Sequence, residues 1–196
     1  PYGSDLLRRM AETRANTRRA RLRRICEALQ ATALPQLTDL RLEQSTDGLW
    51  HLRGKYKHWR PQGAWQDETD FSDGTLRLIG ILWSLLEPGG LVLMEEPELS
   101  LHSALVKELP ALFSRSVRRS GAQCIVSTHS WEILADEGLG GDEVLLLTPS
   151  PEGTQVVLLN DRQDARELLE AGLSPAEIAL HPATVPGARQ LALFGD

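Results

Sequence analysis

The chain has 196 residues, of which 41% are hydrophobic, 24% are charged and 5% are aromatic. This composition excludes disordered, collagen-like and disulfide-scaffold proteins and allows one sizeable hydrophobic core. The net charge of −6 conceals an asymmetry, because residues 1–30 carry eight arginines against three acidic side chains, a net charge of +5. That basic segment could meet a nucleic-acid backbone, or it could be a solvated helix face, or it could dock on the acidic remainder of the chain.

No apolar run approaches the roughly 20 residues that a membrane-spanning helix needs. The first residues are polar and arginine-rich and lack the apolar segment of a secretion signal. The two cysteines, Cys26 and Cys124, lie far apart in the sequence, which favours buried thiols over a disulfide. These features predict a cytoplasmic protein without membrane contact. Because the chain begins at Pro1 rather than Met, we expect it to be processed, trimmed or part of something longer.

The first third of the chain predicts a long basic helix followed by a β-hairpin. An apolar stripe between Leu22 and Leu29 indicates a helix to about residue 34, which Pro35 ends. Residues 37–44 and 49–59 alternate apolar and polar side chains on either side of a turn, as hairpin strands do. Residues 60–69 are polar and irregular and are predicted to form a loop.

From Phe71 onward, apolar segments alternate with helical patterns. The predicted elements are a buried helix (75–86), a buried strand (91–94), a helix kinked at Pro110 (103–119), a second buried strand (123–127), a short helix (131–135), a hairpin (143–148 and 154–159), a helix (165–171) and a helix capped by Ser174. This alternation predicts an α/β fold with a parallel sheet flanked by helices. We accordingly divide the chain into residues 1–70, the basic helix and hairpin, and residues 71–196, the α/β lobe.

Two adjacent carboxylates, Glu95 and Glu96, stand where the first buried strand ends, and Pro97 stops its continuation. Ligands of open α/β sheets bind at the carboxyl ends of strands. One carboxylate could hold a hydrated Mg²⁺ while the other orients a water, or the pair could be a solvated acidic turn. The second buried strand delivers His129 to the same edge, so His129 is predicted to lie near Glu96 and to contact a phosphate.

A turn of small residues, Phe71 to Arg77, opens the buried helix. Its free backbone N–H groups, the helix dipole and the Ser72 hydroxyl could bind an anion, although the carboxylate of Asp73 would compete with it. The alternative is a plain helix cap.

Taken in this order, the three segments resemble the ABC-type ATPase heads, especially the soluble group that includes RecF, the structural-maintenance-of-chromosomes (SMC) proteins, the OLD nucleases and many bacterial predicted ATPases. Residues 71–77 are similar to the signature loop, 91–96 to Walker B, 99–102 to the D-loop and 127–130 to the H-loop. The resemblance implies the C-terminal lobe of a P-loop NTPase head, preceded here by the basic helix and the hairpin.

Carried over by position, the resemblance implies ATP hydrolysis with Mg²⁺. Glu96 would polarise the attacking water and His129 would sense the γ-phosphate. Glu95 takes the place of the usual aspartate that supports Mg²⁺. The implied partner is a second ATPase subunit, in a homodimer. The cofactor-binding positions implied at the interface with that subunit are Ser72, Asp73, Gly74, Thr75, Ser100 and His102.

The sequence contains no Gly-x-x-x-x-Gly-Lys-Ser/Thr segment, the loop that cradles phosphates in this fold. We therefore expect the P-loop half to lie in an N-terminal region outside these residues or on another chain, and this chain alone to bind ATP poorly. The absent strand should leave an open sheet edge and an exposed apolar face. Roles usual in the group are DNA repair and defence against phage or plasmids. Two alternatives remain, a non-catalytic dimerisation module and a DNA-binding arm built on the basic helix.

Overall fold

The computed structural model describes residues 4–57 and 64–180. Within these residues the helices are α1 (Ser4–Glu12), α2 (Ala15–Ala31), α3 (Asp73–Leu85), α4 (Ser103–Val106), α5 (Leu109–Ser120), α6 (Trp131–Leu134), α7 (Gln163–Glu170) and α8 (Pro175–Ala179). The strands are β1 (Leu37–Gln44), β2 (Trp50–Tyr56), β3 (Ala64–Asp67), β4 (Leu91–Glu95), β5 (Gln123–Ser127), β6 (Leu145–Ser150) and β7 (Gly153–Leu158). They form an antiparallel sheet β1-β2-β3, a parallel pair β4-β5 and an antiparallel pair β6-β7.

The single basic helix predicted from the sequence is two helices, α1 and α2. The last carbonyls of a helix lack partners inside it, and Arg18 of α2 supplies them for α1. Its Nη1 donates to the carbonyls of Met10, Ala11 and Thr13 at 3.3, 2.9 and 3.3 Å. The same guanidinium lies 5.1 Å from the centroid of the Trp50 ring, a cation–π contact that joins α2 to the hairpin. The prediction missed the break because these contacts are tertiary.

Other arginines of the basic segment also make contacts inside the chain. Arg21 lies 5.1 Å from the centroid of the Trp83 ring, and Arg9 pairs with Glu87. Of the three alternatives given for this basic segment, the structure therefore shows the one in which it docks on the rest of the chain.

The predicted hairpin is present as β1 and β2, whereas the predicted loop was wrong over its second half. Residues 64–67 form β3, which pairs with β2, and residues 58–63 lie outside the described part of the chain. Polar contacts hold this strand in the sheet, so its sequence lacks the alternating apolar pattern from which a strand is predicted. Arg53 Nε donates to Asp67 Oδ1 at 2.8 Å, and the Trp65 ring faces the cations of Arg41, Arg53 and Lys55.

One hydrophobic core joins the first two helices, the β1-β2-β3 sheet and α3. Met10, Leu29 and Leu52 are fully buried in it together with Ile79 and Trp83. Helix α3 therefore packs with residues from both sides of position 70, and the division proposed there stays a prediction.

The parallel pair β4-β5 has two unlike faces. The strands run in register from Leu91 opposite Gln123 to Glu95 opposite Ser127. One face packs on a core formed by α3, α4, α5 and α6. The other face exposes 54% of Leu91, 69% of Leu93 and 54% of Ile125. Strands expected to be buried on both faces are thus covered on one by residues 4–57 and 64–180, and the expected exposed apolar face is present.

Two further details refine the predicted elements. Pro110 lies in the first turn of α5 instead of kinking a longer helix, a position where its missing N–H costs nothing. The capping box at Ser174 is confirmed, since Ser174 N donates to Glu177 Oε2 at 2.7 Å and Glu177 N donates to Ser174 Oγ at 3.4 Å. Among the described helices, none has the length and apolar character needed to cross a bilayer.

Candidate functional site

The candidate site begins where β4 ends. Glu96 N donates to the carbonyl of Ser127 at 2.9 Å, which extends the pairing of β4 with β5 by one residue. Glu96 has a φ of 45°, a left-handed conformation that is uncommon for residues with a side chain. This turn ends β4, so Glu95 is the last residue of the strand and Glu96 lies beyond it.

Glu96 and His129 are in direct contact at this edge. Nδ1 of His129 lies 2.7 Å from Glu96 Oε1 in hydrogen-bond geometry. An ionised carboxylate can only accept, so Nδ1 carries the proton. The imidazole is 75% exposed, while the Glu96 side chain is 26% exposed. Glu96 Oε2 is buried and also lies 2.7 Å from Nδ1, so the imidazole faces both carboxylate oxygens. The pair can therefore offer a ligand the Nε2 atom of the exposed imidazole and a lone pair of the partly exposed Glu96 carboxylate.

The carboxylate changes the acidity of the imidazole. The hydrogen bond to Glu96 and then the charge of Glu96 hold the pKa of His129 above its usual value; burial opposes this effect, and the charge of Glu98 adds the weakest contribution. The protonated form of His129 is thus favoured at the sheet edge.

We expect the substitution Glu96→Gln to bring the pKa of His129 back towards its usual value. Because the pKa is raised by folding, the pair stabilises the fold fully below the pKa of an unfolded histidine, and this stabilisation is lost as the pH rises through the folded value. Titration of the imidazole by NMR between pH 5 and 9 measures the midpoint. Glu137→Gln, which removes an exposed carboxylate elsewhere, is the matched control. An unchanged midpoint in Glu96→Gln would contradict the assigned cause.

Glu95 lies on the exposed apolar face of β4. It is exposed and alternates with Leu93 and Leu91, so the three share one face of the strand. It does not join the contact between Glu96 and His129. Mg²⁺ prefers oxygen ligands and retains water, which a single exposed carboxylate satisfies. The metal role of Glu95 stays a prediction.

The signature-loop residues form the first turn of α3. Ser72 is the N-cap, and its Oγ accepts from Thr75 N at 3.2 Å and lies 2.9 Å from Thr75 Oγ1. Asp73 is the first residue of the helix and is exposed. The plain helix cap, one of the two alternatives, is therefore present, and anion binding by this turn stays a prediction.

Gly74 contacts the turn that precedes α4. A Cβ atom built on Gly74 would lie 2.3 Å from the carbonyl oxygen of Ser100, closer than any real contact. Ser100 itself has a φ of 63°. His102 caps α4, since its Nδ1 accepts from Ala104 N at 3.2 Å. The fold thus joins Gly74 with Ser100, and the interface roles of these residues stay predictions.

Three residues that sequence reasoning gave no role also lie at the edge. Arg77 Nη1 donates to the carbonyl of Glu96 at 2.6 Å, and Thr128 Oγ1 donates to Glu98 Oε1. One carboxylate oxygen of Glu96, one of Glu98 and one ring nitrogen of His129 all lie within 4.8 Å of one another. Two features of the sequence could have indicated these residues: a third carboxylate directly after Pro97 and an arginine near the start of an apolar helix.

A shallow cleft of about 330 Å³ lies beside His129. It is lined by residues 129–132 and by Glu98, Leu101, Ser103 and Val106. The cleft gives a ligand access to the exposed side of the imidazole.

The fold of the described residues is similar to that of the heads of SMC ATPases. A solved chain from work on ATP-driven dimerization and DNA-stimulated activation of SMC ATPases is 18% identical, with a TM-score of 0.53 over 85% of this chain and 95% of that chain. An Smc head with an extended coiled coil from Pyrococcus furiosus, bound to the C-terminal domain of ScpA, is 20% identical with a TM-score of 0.55. An Smc head with a coiled coil and joint from Pyrococcus yayanosii is 21% identical with a TM-score of 0.54.

These likenesses concern the fold. The matches cover 78% of this chain in both Pyrococcus structures, but only 37% and 29% of those longer chains. Residues 1–135 match the family described as "AAA domain, putative AbiEii toxin, Type IV TA system", and the chain belongs to this family. Among curated proteins, none matches this sequence.

Proposed function

We propose that this protein is an ATPase whose complete site combines the edge of β4 and β5 with a P-loop lying outside residues 1–196. The observation that carries the proposal is the contact of Glu96 with His129 at the carboxyl ends of two parallel strands. A carboxylate and an imidazole at this edge can orient a water and meet a phosphate oxygen. Membership in an AAA-type ATPase family supports the same reaction.

The described contacts suggest separate roles for the two side chains. Glu96 accepts a hydrogen bond from the attacking water with a carboxylate lone pair that His129 does not occupy. His129 uses Nδ1 to hold Glu96, so Nε2 is the atom that can donate to the γ-phosphate. Mg²⁺ would neutralise charge on the phosphate oxygens, and Glu95 would hold its water shell.

The exposed apolar face of β4-β5 supports the position of the P-loop half. Leu91, Leu93 and Ile125 are large apolar side chains left in water, although parallel sheets are ordinarily covered on both faces. Glu95 is exposed on the same face. A lobe that covers this face and carries a P-loop would therefore bring bound phosphates towards the carboxylate that is proposed to support Mg²⁺.

The amino-terminal turn of α3 supports a dimeric mechanism. Ser72 is exposed at the positive end of a 13-residue helix, where an anion is favoured, and the exposed Asp73 carboxylate competes for the same position. In the proposed dimer this turn, from Ser72 to Thr75, meets the γ-phosphate of a nucleotide held by the second subunit, and Ser100 and His102 line the interface. The SMC ATPases of a solved relative are described as dimerising with ATP.

For the biological role we propose a cytoplasmic ATPase in plasmid or phage defence, or in DNA repair. The family description refers to a putative toxin of a type IV toxin–antitoxin system, which favours defence. A non-catalytic dimerisation module is the competing proposal. The DNA-binding arm has less support, because Arg9, Arg18 and Arg21 make contacts within the chain.

The test compares the 196-residue chain alone with the same chain completed by its P-loop polypeptide. We expect Mg²⁺-dependent release of phosphate from ATP only by the complete assembly, and no measurable binding of a fluorescent ATP analogue by the chain alone. A folded complete assembly that binds ATP but releases no phosphate would overturn the enzymatic proposal and favour the dimerisation module.

A further inference from the structure

Glu98 lies beside the pair formed by Glu96 and His129 but does not belong to it. Its Oε1 accepts a hydrogen bond from the Thr128 hydroxyl, across 30 residues of sequence. Its Oε2 is buried without a hydrogen-bond partner among the described residues. At the surface, water would donate hydrogen bonds to such a carboxylate, whereas a buried oxygen without a hydrogen bond costs free energy. The position of Glu98 therefore calls for a compensating role.

Thr128 connects Glu98 to the loop that carries His129. Its Oγ1 donates to Glu98 and accepts from Ser130 N at 3.0 Å. One hydroxyl thus ties the residues on both sides of His129 to a carboxylate in the turn after β4. The imidazole itself is largely exposed and has Glu96 as its described side-chain partner. The orientation of His129 therefore depends on how the flanking backbone is held.

The turn that carries Glu98 is itself fixed at several points. Leu99 N donates to the carbonyl of Glu96 at 3.2 Å, and Leu101 N donates to the carbonyl of Glu98 at 3.0 Å. Arg77 holds the carbonyl of Glu96 from α3. Glu98 accordingly projects from a rigid segment towards the ends of both strands, which is what a group that orients a neighbouring loop requires.

We propose that Glu98 is a positioning residue, which holds the His129 loop through the Thr128 hydroxyl so that the imidazole stays in contact with Glu96. This role rests on the proposed ATPase function for its kinetic consequence, but the geometric consequence can be measured in the 196-residue chain alone. Glu98 touches neither water nor phosphate in this role. Its loss should lower kcat more than it changes KM for ATP.

The kinetic test uses paired substitutions in the complete assembly. Glu98→Met removes the acceptor at similar size, while Glu98→Gln keeps an acceptor oxygen. Thr128→Val removes the hydroxyl, while Thr128→Ser keeps it. We expect about a tenfold loss of kcat in the Met and Val variants, the scale of one lost hydrogen bond to a charged group. We expect near-parental kcat in the Gln and Ser variants and no further loss in the Met/Val double variant, because the two residues act as one unit.

The geometric test uses the ¹⁵N NMR signal of His129 Nδ1 at a pH low enough that the imidazole is protonated in every variant, so that the lost charge of Glu98 does not itself move the signal. In the chain alone, Glu98→Met and Thr128→Val should move this signal towards that of an unpaired imidazole, and Glu98→Gln and Thr128→Ser should not. A shift in the Met and Val variants without ATPase activity in the complete assembly would sink the proposed function but retain the positioning. An unmoved signal in both, or full kcat with only a lower melting temperature, would overturn the positioning role.

Discussion

Replacing Glu96 with Gln in the complete assembly should lower ATP turnover on the order of 10²- to 10⁴-fold, the usual effect of removing a residue that activates the attacking water. The amide cannot accept a proton from that water. ATP affinity should change little, because binding depends on the phosphate clamp of the P-loop and on Mg²⁺. Single-turnover phosphate release and equilibrium binding of ATP measure the two effects separately.

Glu137→Gln is the control for charge, since it removes an exposed carboxylate that makes none of the described contacts of Glu96 and His129. It should leave turnover unchanged. If Glu96→Gln hydrolysed ATP at the parental rate, Glu96 would lose its assigned role, and the contact with His129 would be structural.

Replacing Gly74 with Ala should destabilise the fold and impair dimerisation. The new Cβ would lie 2.3 Å from the carbonyl oxygen of Ser100, and a backbone atom cannot move aside as a flexible side chain can. Either the start of α3 or the turn at Ser100 must shift, at a cost of about 1–3 kcal/mol in the free energy of unfolding. Urea denaturation of the 196-residue chain measures this loss.

Gly80→Ala provides a control within the same helix. A Cβ at Gly80 would lie 3.7 Å from Leu6 Cδ2, which is ordinary contact. Alanine is the better helix former, so this variant should gain up to ~1 kcal/mol. Equal stabilities of the two variants would show that Gly74 and Ser100 are not in contact in solution. In the complete assembly, ATP-dependent dimerisation measured by light scattering should fall in Gly74→Ala alone.

Local patterns were sufficient to predict the strands that build the site. Continuous apolar runs marked β4 and β5, and the alternation with helices implied parallel pairing. Once those strands were parallel neighbours, the meeting of Glu96 with His129 followed from the ends of the two runs. The register of the strands in the structure agrees with this argument.

The parts that were not predicted depend on polar contacts between distant segments. The hydrogen bond of Arg77 with the Glu96 carbonyl spans 19 residues, and that of Thr128 with Glu98 spans 30. Neither leaves a periodic signal, because each involves one side chain. The break between α1 and α2 was missed for the same reason, since Arg18 supplies the missing helix partners from outside α1.

The left-handed backbone of Glu96 favours residues other than glutamate, whereas the proposed hydrolysis requires the carboxylate. Stability and turnover therefore make opposite demands at this position. Glycine would adopt a φ of 45° without steric cost, and asparagine would adopt it more readily than glutamate. Selection for thermal tolerance alone would therefore drive this position away from the carboxylate on which hydrolysis is proposed to depend. An engineer who optimises the protein by melting temperature should hold residue 96 fixed.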